Sequence, residues 1–425
     1  MRVRQVAEVI KSELVMDVSV DVHKDDLYSL ARVHGKEYSE TFKNSTPQIR
    51  KVIRDYQGIA QEQGLSQIRV VCEPTGVYDR KLLRAARLLG AMTSYVNAEA
   101  VSKFRVVENN DNNKTDIADP GVILRMAEHG HTIRHRILDD DYLLLRKLGS
   151  FLDDEEVMLV RIRGLISQVR EELFCEWSFD KDFLYGNSGK ALVEKYGANP
   201  CRIVQSGYSR FCAAMKRAVP RIRKRSLERL WAQAEISVRN EQPECYIEVL
   251  EQRLKDLYTD YWQHKDRKSR IEEQMIGILR RLKEKDPSMP AAAPELISEK
   301  NLARLLGETG PLGDFDSAKR IMRYAGLNLC MRQSGKYKGK YKISKKGRPL
   351  LRKILSQIAL QLVRREALYG DYYHEKKERQ ELPGTKALTI VMRHFLRKFY
   401  GWYRSGQAFD KERFFACQGD YKKAA

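Results

Sequence analysis

Three things are missing from this 425-residue sequence: long apolar runs, patterned cysteines, and any acid in its most basic stretch. No apolar run approaches the ~20 residues of a membrane span. The opening residues MRVRQVAEVIKSEL lack a signal-peptide core, so no membrane attachment is expected. The seven cysteines are odd in number, scattered, and never spaced C-x-x-C. That speaks against a structural zinc site or a disulfide framework and for a reducing cytoplasm. Between Arg332 and Lys353 there is no Asp or Glu at all.

What is present is positive charge. Lys and Arg number 78 against 57 acids, a net charge of +21. A polyanion, DNA or RNA, is the partner this implies. Hydrophobic content of 42% supports real cores, and the length allows two or three domains.

The expected fold is α/β followed by α. Strands are predicted at 13–21, 25–33, 67–73 and 93–96, and helices at 47–64, 77–89 and 116–128, giving a layered sheet that is partly parallel. Heptads then begin. Leu145, Leu148, Leu152, Leu159, Ile162, Ile166, Val169 and Leu173 follow one seam, interrupted at Glu155. Ile247, Leu250, Leu254, Leu257, Tyr261, Ile271, Met275, Ile278 and Leu282 follow a second, broken at His264 and Lys268. Two such helices predict an intramolecular hairpin, an oligomer interface, or both. A small helical insertion lies between them at about 176–236, with a second basic cluster, KRAVPRIRKR, at 216–225. DPSMPAAAP (286–294) reads as a linker; beyond it come a helix, the basic stretch, an amphipathic helix over 349–368 and a basic tail. The expected domains are therefore 1–135, 136–290 and 291–425.

Four acids have the layout of a metal-dependent nuclease. Asp21 and Glu73 close strands, and Asp116 and Asp119 stand at i, i+3 on one helical turn. Strand-end acids project into the crevice where an α/β sheet gathers ligands, and converging carboxylates suit Mg²⁺. Each acid also has an ordinary reading: a turn residue, a strand-end charge, or a helix N-terminal charge. Lys24 and Lys114 flank them as candidate phosphate contacts.

The basic stretch RQSGKYKGKYKISKKGRPLLRK carries Arg332, Lys336, Lys338, Lys340, Lys342, Lys345, Lys346, Arg348, Arg352 and Lys353. All but Lys353 are candidate nucleic-acid contacts. An extended strand from 336 to 342 would put its cations on one face. Ser334, beside the flexible Gly335, is a candidate nucleophile in a field that concentrates phosphate. Ser344 competes with it but lacks an adjoining glycine. Hydrolysis by water at the carboxylates, and nucleic-acid binding without catalysis, remain open on residues alone.

V-D-V-H-K-D-D-L (20–27), E-P-T-G-V-Y (73–78), K-T-D-I-A-D (114–119), the run 313–327 ending in R-Y-A-G-L, Q-S-G (333–335) and K-I-S-K-K-G-R-P-L-L-R (342–352) occur in that order. Together they resemble the DEDD-type insertion-sequence transposases of the IS-one-ten family, bridge-RNA-guided recombinases of prokaryotes. The resemblance implies an RNase H-like, RuvC-like N-terminal domain and a C-terminal transposase domain. It implies that Asp21, Glu73, Asp116 and Asp119 hold Mg²⁺ and that Ser334 forms a transient phosphoserine link to DNA. It also implies donor and target DNA, a guide RNA, and a dimer of dimers in which carboxylates and serine come from different subunits. The sequence departs from the family in segment 286–312, which lacks the usual Pro-Gly turn.

Overall fold

A strand over Val15–Val22 (β1) forms the spine of the N-terminal part because its side chains alternate. Met16, Val18, Val20 and Val22 are buried on one face, and Asp17, Ser19 and Asp21 take the other. The computed structural model describes residues 15–109, 118–240, 242–331, 333–334, 337–338 and 341–415. The chain divides into two units, Met1–Ile137 and Leu138–Ala425.

In the first unit β1 is followed by β2 (Asp26–Val33), β3 (Lys36–Lys43), α1 (Thr46–Glu62), β4 (Gln67–Cys72), α2 (Asp79–Leu88), β5 (Met92–Tyr95), α3 (Ala98–Asn109), α4 (Ala118–Glu128) and β6 (Ile133–Arg134). The sheet order is β3-β2-β1-β4-β5-β6. β1, β4 and β5 run parallel, and the other pairings are antiparallel. α1 and α2 cover the Val18–Val20 face through Ile49, Val52, Ile53, Leu82 and Leu83. On the opposite side Val71 packs with Val101 of α3 and Val122, Ile123 and Met126 of α4. The sequence reading missed β3 and α3. KEYSETFK buries only Phe42 because it is an edge strand. His34 and Gly35, both at positive φ (46° and 77°), make the two-residue turn that joins it to β2.

The second unit is mostly helical. α5 (Asp140–Leu173) and α10 (Glu244–Lys285) pack along each other as an antiparallel hairpin. The two interruptions in the heptads meet across it. Glu155 Oε2 lies 2.5 Å from His264 Nδ1, and Arg267 Nε donates to Glu155 Oε1 at 3.2 Å. Glu156 pairs with Lys268 at 3.5 Å. This polar layer separates two apolar cores, one holding Leu145, Leu152 and Met275, the other Ile162, Ile166, Leu257 and Tyr261. Polar residues at complementary seam positions fix register at some cost in stability.

Between the long helices lie α6 (Asn187–Tyr196), α7 (Pro200–Gln205), α8 (Tyr208–Ala218) and α9 (Lys224–Val238). Glu251 of α10 anchors them. It accepts hydrogen bonds from Asn199 Nδ2 (2.8 Å), Arg202 Nε (2.7 Å) and Lys255 Nζ (2.5 Å).

The rest is α11 (Glu299–Thr309), α12 (Ala318–Tyr324), a β-ribbon, α13 (Pro349–Arg365), α14 (Ala367–His374), α15 (Gly384–Ser405) and α16 (Lys411–Phe415). Two expectations need correction. Segment 286–294 is no free linker: Met289 and Ala293 are buried in the same core as Leu145 and Phe395, and Tyr142 donates to the Met289 sulfur at 3.5 Å. Residues on both sides of position 290 therefore share one core. The basic tail contains α15, which buries Val391, Phe395, Leu396 and Phe399 beneath its cationic face.

Candidate active site and nucleic-acid interface

Asp21 is the penultimate residue of β1, and Glu73 directly follows β4. The register pairs Val20 with Cys72, so Asp21 and Glu73 are the next positions on adjacent parallel strands and share a face. That face is the one α4 covers. The C-terminal end of α4 sits over the strand starts: Arg69, which pairs with Asp17 at 2.6 and 2.8 Å, also donates to the Ala127 carbonyl at 3.4 Å. About 12 Å of helix from Asp119 to Ala127 matches about 13 Å of strand from Asp17 to Asp21. α4 thus runs over the face from which Asp21 and Glu73 project, with Asp119 in its first turn.

The carboxylates are nonetheless engaged with the protein. Asp119 is 5% exposed, and its Oδ1 accepts a hydrogen bond from Nη2 of Arg105, on α3 and 8% exposed. Among the described residues, Arg105 Nε is buried without a partner. Asp21 Oδ2 lies 3.0 Å from His23 Nε2. Among the described residues no group of three or more His, Cys, Asp or Glu side chains is set to hold a metal ion. Asp116 and Lys114 lie outside the described residues. By donor chemistry the site fits a hard divalent cation, since Asp21, Glu73 and Asp119 offer only carboxylate oxygen. Asp119 would have to exchange Arg105 for it.

Behind these acids lie groups that sequence reasoning missed. Asn44 Nδ2 donates to the His23 carbonyl (2.9 Å) and the Tyr78 carbonyl (3.2 Å). It thereby ties the turn after β1, where Lys24 is exposed, to the loop after Glu73. Buried Asp79 accepts from Tyr95 OH at 2.7 Å. Burial, then the Asp79 bond and charge, pushes the Tyr95 phenol well above its ordinary value. Asp79 directly follows E-P-T-G-V-Y at a helix start, a signal that was legible. Arg105 had none, being one cation among many.

In the second unit the basic stretch folds back on itself. β7 (Leu329–Cys330) pairs with β10 (Lys342–Ile343), and β8 (Gln333–Ser334) pairs with β9 (Tyr337–Lys338), both antiparallel. The single strand expected over 336–342 is replaced by this ribbon. Ser334 is the last residue of β8 and pairs with Tyr337 of β9. Arg332, Lys336 and Lys340 lie outside the described residues; for Ser334 and Lys338 the backbone alone is described.

The remaining cations divide into two kinds. Lys342, Lys345 and Lys346 are exposed. Arg348 is held by two bonds to Glu308, from Nε at 2.6 Å and Nη2 at 3.2 Å, and Glu308 is 1% exposed. Arg352 Nη1 donates to the carbonyls of Ala325 (3.0 Å) and Gly347 (3.1 Å). Expected as nucleic-acid contacts, these two arginines instead have protein partners. Ser344 also has structural duties: its Oγ donates to Asn328 Oδ1 at 2.5 Å and accepts from the Lys346 amide at 3.3 Å. The loop needs Gly347, since a Cβ there would come within 2.4 Å of the Tyr324 carbonyl oxygen and 2.5 Å of the Gly326 nitrogen.

Comparison with known families matches both regions. A model described as a transposase, of the DEDD type named for IS110, covers residues 18–169, which include Asp21, Glu73, Asp116 and Asp119. A second, described as the transposase IS116/IS110/IS902 family, covers residues 297–374, which include Ser334 and the basic ribbon. No curated protein matches the chain. Domains of the DEDD type typically use a divalent metal. With both IS110-family domains present in one chain, the protein is an insertion-sequence transposase, an enzyme that acts on DNA.

Proposed function

We infer that the protein cuts and rejoins donor and target DNA through Ser334, with Asp21, Glu73, Asp116 and Asp119 holding Mg²⁺ at the scissile phosphate. The observation that carries the reading is the placement of Asp21 and Glu73 side by side at parallel strand ends, with the helix bearing Asp119 over the same face. The order β3-β2-β1-β4-β5, with β1 parallel to β4, supports an RNase H-like, RuvC-like domain.

The chemistry follows from the groups. Ser334 Oγ forms a bond to phosphorus as one P–O bond to a deoxyribose oxygen breaks. The hydroxyl proton leaves and the departing oxygen gains one, so the number of phosphoester bonds is unchanged. Rejoining is the reverse attack by a strand end and needs no external energy source. Bound Mg²⁺ would supply Lewis-acid stabilisation of the charge that develops on the phosphate oxygens. The exposed Lys342, Lys345 and Lys346 hold backbone and do not read sequence. Sequence choice then falls to a guide RNA, as in the family resembled. The occupied hydroxyl of Ser344 supports Ser334 as the nucleophile. Assembly as a dimer of dimers would bring carboxylates and serine together from different subunits.

The test begins with the RNA that co-purifies with the protein. Its sequence gives the DNA duplexes to supply with Mg²⁺, and denaturation in detergent traps protein–DNA adducts. Wild type should give an adduct, and Ser334→Ala and Asp21→Asn should give none. Cleavage by Ser334→Ala but not by Asp21→Asn would make water the nucleophile. Binding without any Mg²⁺-dependent breakage would remove catalysis from the reading, and absence of a discrete RNA would remove guidance.

A further inference from the structure

The carboxylate that opens α4 already holds a cation. Arg105 reaches from α3 to Asp119, and their side chains are 10% and 7% exposed. Buried ion pairs are common structural devices, and most buried donors in such pairs find acceptors. Here one donor is left over: among the described residues, Nε of Arg105 is buried with no acceptor. The guanidinium therefore uses only part of its fork of donors. It does so on the side of the sheet where Asp21 and Glu73 end their strands.

We propose that Arg105 is a positioning residue that occupies the place of the divalent cation at Asp119 and releases it to a DNA phosphate, so that metal and DNA load together. The proposal rests on the carboxylate reading given above. A divalent ion approaching Asp119 meets the positive guanidinium at contact range, which holds metal affinity low while the pair persists. A phosphodiester offers the guanidinium the alternative it is shaped for: two oxygens in a plane, matched by parallel N–H groups. Once Arg105 turns to phosphate, the Asp119 carboxylate is released and the repulsion at the site falls. Linkage then runs both ways, with DNA raising metal affinity by the same factor that metal raises DNA affinity. The arrangement would keep the site from carrying a loaded metal ion in the absence of a strand to cut.

The test measures binding, without turnover. Mn²⁺ serves as the divalent probe, titrated by electron paramagnetic resonance on the full chain with and without saturating duplex DNA. In wild type, DNA should tighten Mn²⁺ binding by at least about tenfold, and equal affinities with and without DNA overturn the proposal. Arg105→Gln should bind Mn²⁺ at least about tenfold more tightly than wild type without DNA, with most of the coupling lost. If Asp21→Asn abolishes Mn²⁺ binding while Arg105→Gln leaves it at the wild-type value, the metal site stands and the exchange is wrong. If Asp21→Asn and Glu73→Gln leave Mn²⁺ binding untouched, the carboxylate reading itself falls and takes the exchange with it.

Folding is checked by thermal melts in chelator. Arg105→Gln leaves a buried carboxylate unpaired, so its midpoint should drop and Mn²⁺ should restore it by more than it shifts wild type. The double variant Arg105→Gln/Asp119→Asn should melt near wild type with no such response. A matching Mn²⁺ response in both variants would overturn the proposal.

Discussion

Arg348 and Lys342 lie six positions apart in one basic stretch, and neutralising them should do opposite things. Arg348 makes two bonds to Glu308, which is 1% exposed. Burial draws the Arg348 guanidinium down, but the Glu308 bond and charge outweigh it and leave it above the ordinary arginine value. Arg348→Gln strands the Glu308 carboxylate in the core between α11 and α13. Breaking a buried pair this way costs about 3–5 kcal/mol. With Arg348 itself 36% exposed, the lower end, about 3 kcal/mol, is the better figure. Lys342 is exposed, so Lys342→Gln should stay within about 0.5 kcal/mol of wild type. Urea unfolding followed by circular dichroism reads the stabilities. Duplex binding against salt reads the other side: Lys342→Gln should flatten the log–log slope by about 0.9 if it meets one phosphate. Arg348→Gln, measured on folded protein, should leave that slope alone. An Arg348→Gln variant with the wild-type urea midpoint and a slope flattened by about one unit would refute the division of this stretch into framework and phosphate-binding cations.

Gly347→Ala should destabilise the second unit by about 2–3 kcal/mol, because the new Cβ meets backbone that cannot move aside. Gly164→Ala, in the exposed interior of α5 with nothing within 4 Å, should stabilise by up to about 1 kcal/mol; urea midpoints that do not separate in this order would contradict the packing. Glu155→Leu alone should cost about 1–3 kcal/mol of stability and lower the melting midpoint, since it removes the partner of His264. Glu155→Leu/His264→Leu should recover that loss or exceed wild type, and a double variant less stable than the single would refute the polar layer. At Glu251 burial raises the carboxyl, but bonds from Asn199, Lys255 and Arg202 prevail and hold it below the usual glutamate value. Its contribution should be present above about pH 4.3 and lost as pH falls through the lowered value; stability profiles from pH 3 to 6 should be flatter for Glu251→Gln.

The elements that were legible are those whose burial is one-sided and whose period survives in the residue types. β1 and β4 read clearly because Val recurs at the buried positions, and the long helices because Leu and Ile hold the seam. Their interruptions were legible only as defects. That Glu155 and His264 answer each other is a fact of pairing in space. β3 was missed because an edge strand needs few apolar residues, and α15 because its cations hid the period of Val391, Phe395 and Phe399. The proline-rich segment misled for a different reason. Proline content reports backbone restriction, whereas Met289 and Ala293 decide that the segment packs.

For the site, sequence reading put Asp21 and Glu73 at the ends of β1 and β4, where the structure has them, because a strand's end is a local property. It had no means of finding what each charge is committed to. Asp119, Arg348 and Ser344 all looked available in the sequence, and all three have protein partners: Arg105 at a separation of 14 residues, Glu308 at 40 and Asn328 at 16. Those commitments sort the candidates by physical cost. Ser344 can be spared as a nucleophile because its hydroxyl already closes a loop. Arg348 cannot be lent to DNA without exposing a buried carboxylate. Asp119 differs from both, because on the proposed reading its partner is a cation in the metal's place, and among the described residues that cation still has a donor without an acceptor. A partner of that kind can be exchanged without leaving either charge bare, provided metal and phosphate arrive together.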